Sequence, residues 1–138
     1  MSRSKHWTSA LFAIGIAAGL GVGTVPTFAH HSTAPFDLAN EIVIKGTVKE
    51  VQWTNPHAWI QVNVPNDDGS VVEWSFETEG PNVLTRAGIL RNTLQPGDIV
   101  TVTGHPLKDG RPGASMITVE KEDGSVLSLN PDLRKPPR

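Results

Sequence analysis

Apolar and polar residues alternate along most of the chain after residue 40, as expected of strands that bury one face. The alternation is clearest after the Asn55-Pro56 turn, where Ile60, Val62 and Val64 share one face. The opposite face carries an imidazole, an indole and two carboxamides, from His57, Trp59, Gln61 and Asn63. The apolar face predicts core, and the polar face is a candidate binding surface. The alternative is that Trp59 only covers a barrel end and that His57 only closes the turn.

A hairpin is predicted next, because Asp68-Gly69 is a turn signal and a second alternating stretch runs from Val71 to Glu77. Equal spacing about the turn sets the register, and the side-chain period of two then fixes both faces. The predicted pairs are Val64 with Val72, Val62 with Trp74, Ile60 with Phe76, Asn63 with Glu73, Gln61 with Ser75 and Trp59 with Glu77, with His57 near Glu79.

The remaining elements follow from breaks in the alternation. A phase slip beside Gly46 predicts a bulged, bent first strand that starts at Glu41. Pro81 to Gly88 predicts a short helix, with proline in the first turn and glycine as the stop. One more helical turn is predicted at residues 91–94. Further strands are predicted at 99–105, around 116–119 and at 126–129.

Three strands, a short helix and then more strands is the order of an OB-type barrel. The sequence therefore predicts an all-β fold with one short helix, a small OB-like barrel of five to six strands. A small sandwich is the alternative fold. The predicted boundaries are a signal peptide at 1–29, an N-terminal arm at 30–40, the barrel domain at 41–130 and a disordered tail at 131–138.

The first segment has the pattern of a secretory signal peptide. Arg3 and Lys5 precede an apolar run, and small residues before and at Ala29 suit a signal peptidase. Cleavage after Ala29 predicts a periplasmic protein that begins at His30 and has no membrane association. A retained membrane anchor is the alternative, which is disfavoured because a span needs about 20 apolar residues.

Composition narrows the function classes. The chain has 12 basic and 14 acidic residues and a formal net charge of −2, and removal of Arg3 and Lys5 makes the remainder more acidic. Nucleic acid is therefore excluded as an expected partner. The chain has no cysteine, so it forms no disulfide, thiolate metal site or lipid-modified cysteine.

The first functional hypothesis is a non-catalytic binding module for an unknown small molecule or protein of the periplasm. Trp59 on an outer face can stack on a sugar or aromatic ring, and Glu73, Glu77 and Glu79 favour a cationic ligand. An enzyme is disfavoured because hydrolase, zinc-protease and phosphate-loop motifs are missing from the sequence. The candidate ligand-binding residues are Trp53, Asn55, His57, Trp59 and Glu77.

The alternative function is Cu(II) binding. After cleavage, His30 presents an amine and an imidazole on one residue, and His31 adds another nitrogen. A histidine of the fold completes the set, with His57 as the first choice and His105 as the second. Met116 is the single methionine after the signal peptide, which argues against a methionine-rich Cu(I) carrier.

Several of these motifs together resemble an uncharacterised family of small exported bacterial proteins. They are His30-His31-Ser32, Phe36-Asp37, Gly46-Thr47-Val48, the block from Val51 to His57 that contains Trp-Thr-Asn-Pro-His, the block from Gly80 to Leu84, and the block from Leu94 to Asp98. The chain is also similar to periplasmic OB-fold proteins, which are mostly binding modules. The resemblance implies export and the domain limits, and it supplies no mechanism.

Overall fold

The computed structural model describes residues 33–136, so the predicted signal peptide and His30 and His31 lie outside the described residues. Six strands and a short helix form this part of the chain, and a 3-10 turn follows at Pro131–Leu133. The elements are β1 (Ile42–Gln52), β2 (Trp59–Pro65), β3 (Val71–Glu77), α1 (Pro81–Arg86), β4 (Ile99–Pro106), β5 (Gly113–Lys121) and β6 (Val126–Ser128).

The strands close into a barrel. Their order is β3-β2-β1-β4-β5-β6, and β3 also pairs with β5 in parallel through Ser75–Glu77 and Gly113–Ser115. This extra pairing joins the two ends of the five-stranded sheet, and β6 extends from β5. The predicted all-β, OB-like barrel is confirmed, and the closed sheet excludes the sandwich.

Strand β1 is shared between the two halves of the barrel. It pairs with β4 over Ile42–Thr47 and with β2 over Thr47–Gln52. A bulge lies between Val48 and Glu50, so the predicted bulge exists but falls after Gly46 rather than beside it. Gly46 has another role, because a Cβ there would overlap the backbone of Asn63. The glycine lets β2 cross close over β1, and the bulge then bends the strand.

The β2–β3 hairpin has the predicted register at all six predicted strand pairs. Its turn places Gly69 at φ 84°, a conformation that glycine adopts without strain. Ile60, Val62 and Phe76 are buried at 4%, 0% and 0% exposure, and they form the barrel core with valines of β1, β4 and β5. The apolar alternation seen in the sequence is therefore the inner face of the barrel.

Helix α1 closes one end of the barrel. It begins at Pro81, and Gly88 at φ 79° follows its end, as predicted. Leu84 packs with Ala58 and Ile89 in a second apolar cluster. The predicted helical turn at 91–94 is a non-helical turn, because the Thr93 hydroxyl accepts a hydrogen bond from the backbone N–H of Leu90.

The N-terminal arm docks on the turn between β4 and β5. Phe36 is buried, at 6% exposure, and forms an isolated bridge with Leu107. The N–H of Asp37 donates to the carbonyl of Pro106 at 2.8 Å, and the N–H of Lys108 donates to the carbonyl of Pro35 at 3.0 Å. The arm therefore covers one side of the barrel.

The segment after β6 folds back on that strand. Lys135 forms a bridge with Val126, and Arg134 donates from Nε to the carbonyl of Ser128 at 2.7 Å. The backbone of residues 131–136, where the sequence predicts a disordered tail, thus covers the outer edge of β6. Within residues 33–136, no helix is long and apolar enough to cross a membrane.

Candidate functional site

The connection between β1 and β2 is held in place by its own hydrogen bonds and by α1. The Thr54 hydroxyl donates to the carbonyl of His57 at 2.8 Å, and the Asn55–Pro56 peptide bond is cis. The carbonyl oxygen of Pro56 lies so close to Gly80 that a Cβ there would overlap it. The start of α1 and the turn therefore pack backbone against backbone, which fixes the position of His57.

His57 and Glu77 form a close pair on the outer face of the barrel. The distance from His57 Nδ1 to Glu77 Oε1 is 2.6 Å, and the two side chains are 23% and 22% exposed. The carbonyl of Thr78 lies 3.2 Å from the same ring nitrogen. Because both neighbours are acceptors, Nδ1 carries the hydrogen, and in the neutral ring Nε2 carries the lone pair. The carboxylate thus fixes both the tautomer and the direction of the imidazole.

A cavity of about 90 Å³ lies beside this pair and is called the His57 pocket below. Thr78 in its wall is buried at 8% exposure, and its Oγ1 has no hydrogen-bond partner among the described residues. A buried hydroxyl without a partner costs about 1–3 kcal/mol. The lining includes Thr33, His57, Glu77, Thr78, Glu79 and Met116.

A larger groove of about 460 Å³ lies next to the pocket and is called the Trp59 groove below. Trp59, Ser75 and Glu77 line it from β2 and β3, Phe36 from the arm, and Arg111 from the β4–β5 turn. Phe36 and Glu77 also line the His57 pocket, so the two spaces share a wall. The arm, the hairpin and the β4–β5 turn therefore converge on one site.

Charges around the groove are paired with each other. Glu77 contacts His57, and Arg111 Nε lies 2.8 Å from Asp109 Oδ2. The backbone N–H and then the side chain of Arg111 lower the pKa of Asp109, which keeps that carboxylate ionised. Glu73 instead pairs with Lys49 at 2.5 Å. Glu73, Glu77 and Arg111 therefore each contact a side chain of opposite or complementary charge.

The other two predicted ligand-binding residues lie elsewhere. Trp53 packs against the second apolar cluster and lines a small apolar cavity of about 20 Å³ next to α1. Asn55 is exposed and lines an open depression with Arg86. The structure thus brings together His57, Trp59 and Glu77 and separates them from Trp53 and Asn55.

The predicted metal ligands are divided as well. His105 Nδ1 lies 2.9 Å from the carbonyl of Asn40, and this residue does not line the His57 pocket. The two fold histidines considered as ligands therefore lie in different surroundings. No group of three His, Cys, Asp or Glu side chains within residues 33–136 is arranged to hold a metal ion.

Four site residues were not found by reasoning from the sequence. Phe36, Thr78, Arg111 and Met116 line the groove or the pocket. Their positions depend on contacts between distant segments, such as the arm with the β4–β5 turn and β3 with β5. The sequence does give one indication for Phe36, which is the single phenylalanine of the arm.

The model of a family of unknown function, DUF6152, matches residues 19–116, which include the arm, the hairpin, α1 and β4. The comparison with curated proteins found no match to this sequence.

Proposed function

We propose that this chain, which belongs to the DUF6152 family of unknown function, is an exported, non-catalytic binding protein that holds a neutral, ring-bearing ligand in the Trp59 groove. The observation that carries the proposal is the position of Trp59, half-buried on the wall of a groove of about 460 Å³. An indole that meets open space on one side can stack on a ring of a ligand. The faces of β2 and β3 are also where OB-type barrels bind oligosaccharides and oligonucleotides.

The polar groups of the groove favour a ligand that donates hydrogen bonds. The Glu77 carboxylate accepts from His57 through Oε1, and a carboxylate has further acceptor sites. Ser75 adds a hydroxyl. Because the charges of Glu77 and Arg111 are compensated by neighbours, an uncharged sugar with hydroxyl and amide N–H donors fits better than a cation or an anion. An oligosaccharide of N-acetylated amino sugars has these properties.

Isothermal titration of the exported protein with chitotetraose tests the proposal. We expect saturable binding to one site, and we expect Trp59→Ala to weaken it at least about fivefold, because stacking on one ring contributes about 1–3 kcal/mol. Asn63→Ala is the matched control, since Asn63 lies on the same face of β2 but does not line the groove. Equal affinity of the two variants, or no binding by the unmodified protein, would contradict the proposal.

A second candidate function is Cu(II) binding by His30, His31 and His57. The observation that favours it is the contact between His57 and Glu77. His57 is oriented by a carboxylate, as metal-binding histidines commonly are.

A native mass spectrum of protein exported with its own signal peptide and titrated with Cu(II) tests this candidate. We expect a chain that begins at His30 and retains one copper ion. His57→Ala should lose the copper, whereas His105→Ala, the matched control, should keep it. A chain that begins elsewhere, or retention of copper by the His57 variant, would refute the three-histidine site.

A further inference from the structure

Trp59, Glu77 and Ser115 lie side by side in one row across three strands. Trp59 of β2 pairs with Glu77 of β3, and Glu77 pairs with Ser115 of β5. Ala114 belongs to the core, so the alternation of β5 turns the side chain of Ser115 to the outer face. Adjacent strands lie about 4.8 Å apart, so the row spans about 10 Å. It is therefore long enough for a pyranose ring and one substituent of that ring.

This row of side chains joins the Trp59 groove to the His57 pocket. Trp59 lines the groove, Ser115 lines the pocket, and Glu77 lines both. The volume of the pocket, about 90 Å³, exceeds the volume of about 10–15 Å³ that one water molecule needs. A ring that stacks on Trp59 can therefore extend a small substituent past Glu77 into the pocket.

The walls of the pocket suit an acetamido group. The Glu77 carboxylate accepts hydrogen bonds and the Ser115 hydroxyl donates one, which matches the N–H and the C=O of a secondary amide. Oε1 of Glu77 already accepts from His57, and the carboxylate has further acceptor sites. The apolar part of the lining consists of Phe36, Met116 and Leu129. These side chains offer a surface on which the acetyl methyl group is removed from water.

We propose that the His57 pocket is the subsite for the acetamido group of a sugar ring that stacks on Trp59, so that the protein selects N-acetylated amino sugars over sugars with hydroxyl groups alone. This inference rests on the proposed function and adds to it a second subsite and a source of selectivity. Ser115 is the specificity-determining residue, because it donates to the acetamido carbonyl. Trp59 contacts the ring whichever substituent the ring carries.

The competing interpretation is that the pocket holds only water and that the groove alone binds the sugar. The two interpretations differ in what the acetamido group contributes to affinity. Chitotetraose and cellotetraose have the same ring and the same linkage, and they differ in the acetamido or hydroxyl group at carbon 2. A water-filled pocket predicts similar affinities for the two sugars, whereas an acetamido subsite predicts a preference for chitotetraose that depends on Ser115.

Isothermal titration of the exported protein with the two tetrasaccharides tests the inference. We expect chitotetraose to bind at least about tenfold more tightly than cellotetraose, through one or two hydrogen bonds and one buried methyl group. Ser115→Ala should reduce this ratio of affinities about two- to tenfold, the contribution of one hydrogen bond. Ser75→Ala is the matched control and should leave the ratio unchanged, since Ser75 lines the groove but not the pocket.

A nuclear Overhauser effect locates the acetyl group in the complex. The acetyl methyl protons of chitotetraose should give a cross-peak to the methyl group of Met116, whose signal is assigned by its loss in Met116→Leu. Equal or reversed affinities for the two sugars, an unchanged ratio in Ser115→Ala, or absence of this cross-peak would each overturn the inference and leave the Trp59 groove standing. Failure of the unmodified protein to bind either sugar would overturn both the inference and the proposed function.

Discussion

Replacement of Phe36 by alanine is expected to release the N-terminal arm while the barrel stays folded. Phe36 is 6% exposed, but it does not belong to the main core cluster and lines two open spaces. Truncation of a core phenylalanine costs about 3–5 kcal/mol, of which about 1.5–3 kcal/mol is burial alone. Because the neighbours of Phe36 already border cavities, the variant loses little packing energy beyond the burial of the ring itself. We therefore expect Phe36→Ala to lower the free energy of unfolding by about 2 kcal/mol.

The expected loss is measured by urea unfolding, with Phe76→Ala as the control for a residue at the centre of the core. Phe76→Ala should cost about 3–5 kcal/mol. Amide hydrogen exchange further distinguishes release of the arm in Phe36→Ala from destabilisation of the core in Phe76→Ala. The N–H groups of Asp37 and Lys108, which bond across the arm contact, should exchange faster in the Phe36 variant, while those of β1 should not.

Two results would refute this reasoning. A destabilisation by Phe36→Ala as large as that of Phe76→Ala would mean that the arm is part of the cooperative core. Unchanged exchange at Asp37 would mean that backbone bonds hold the arm without the aromatic anchor. If the reasoning holds, chitotetraose affinity should fall as well, because Phe36 forms part of the groove wall.

Other predictions concern the two walls of the site. Glu77→Gln should lower copper affinity about 10–100-fold, because loss of the carboxylate that orients a metal-binding histidine has an effect of this size. A competition titration that finds no change would contradict the role of Glu77 in orienting His57. Gly80→Ala should lower the free energy of unfolding by more than about 1 kcal/mol, because the added Cβ overlaps the Pro56 carbonyl. If the variant unfolds at the same temperature as the unmodified protein, the close contact is refuted. Trp53→Ala should destabilise the protein by about 3 kcal/mol and leave chitotetraose affinity intact, since Trp53 packs against the apolar cluster of α1 and does not line the Trp59 groove.

The parts of the fold that depend on neighbouring segments could be predicted from the sequence. The Asp68-Gly69 turn fixed the hairpin register, which placed Trp59 opposite Glu77, and the structure has the same pairing. Proline and glycine likewise marked the ends of α1. These signals are local, because turn geometry and side-chain period act over a few residues.

The parts that depend on distant contacts could not be predicted in the same way. The sequence predicted a bulge beside Gly46. In the structure, Gly46 instead leaves room for the backbone of Asn63 in β2, and the bulge lies between Val48 and Glu50. The docking of Phe36 and the parallel pairing of β3 with β5 create the Trp59 groove, and neither follows from spacing along the chain. His57 was expected near Glu79, and the N–H of the adjacent Ala58 does bond to the carbonyl of Glu79, but the contact of the His57 ring with Glu77 was not predicted.

The central claim is that Trp59 and its groove bind a neutral sugar ligand. The most direct measurement is the indole N–H region of the ¹H–¹⁵N spectrum of the exported protein during titration with chitotetraose. Trp53, Trp59 and Trp74 give separate indole signals, and only Trp59 lines the groove. We predict that the Trp59 signal shifts to saturation while those of Trp53 and Trp74 stay in place. An unmoved Trp59 signal, or equal shifts of all three, would contradict the claim.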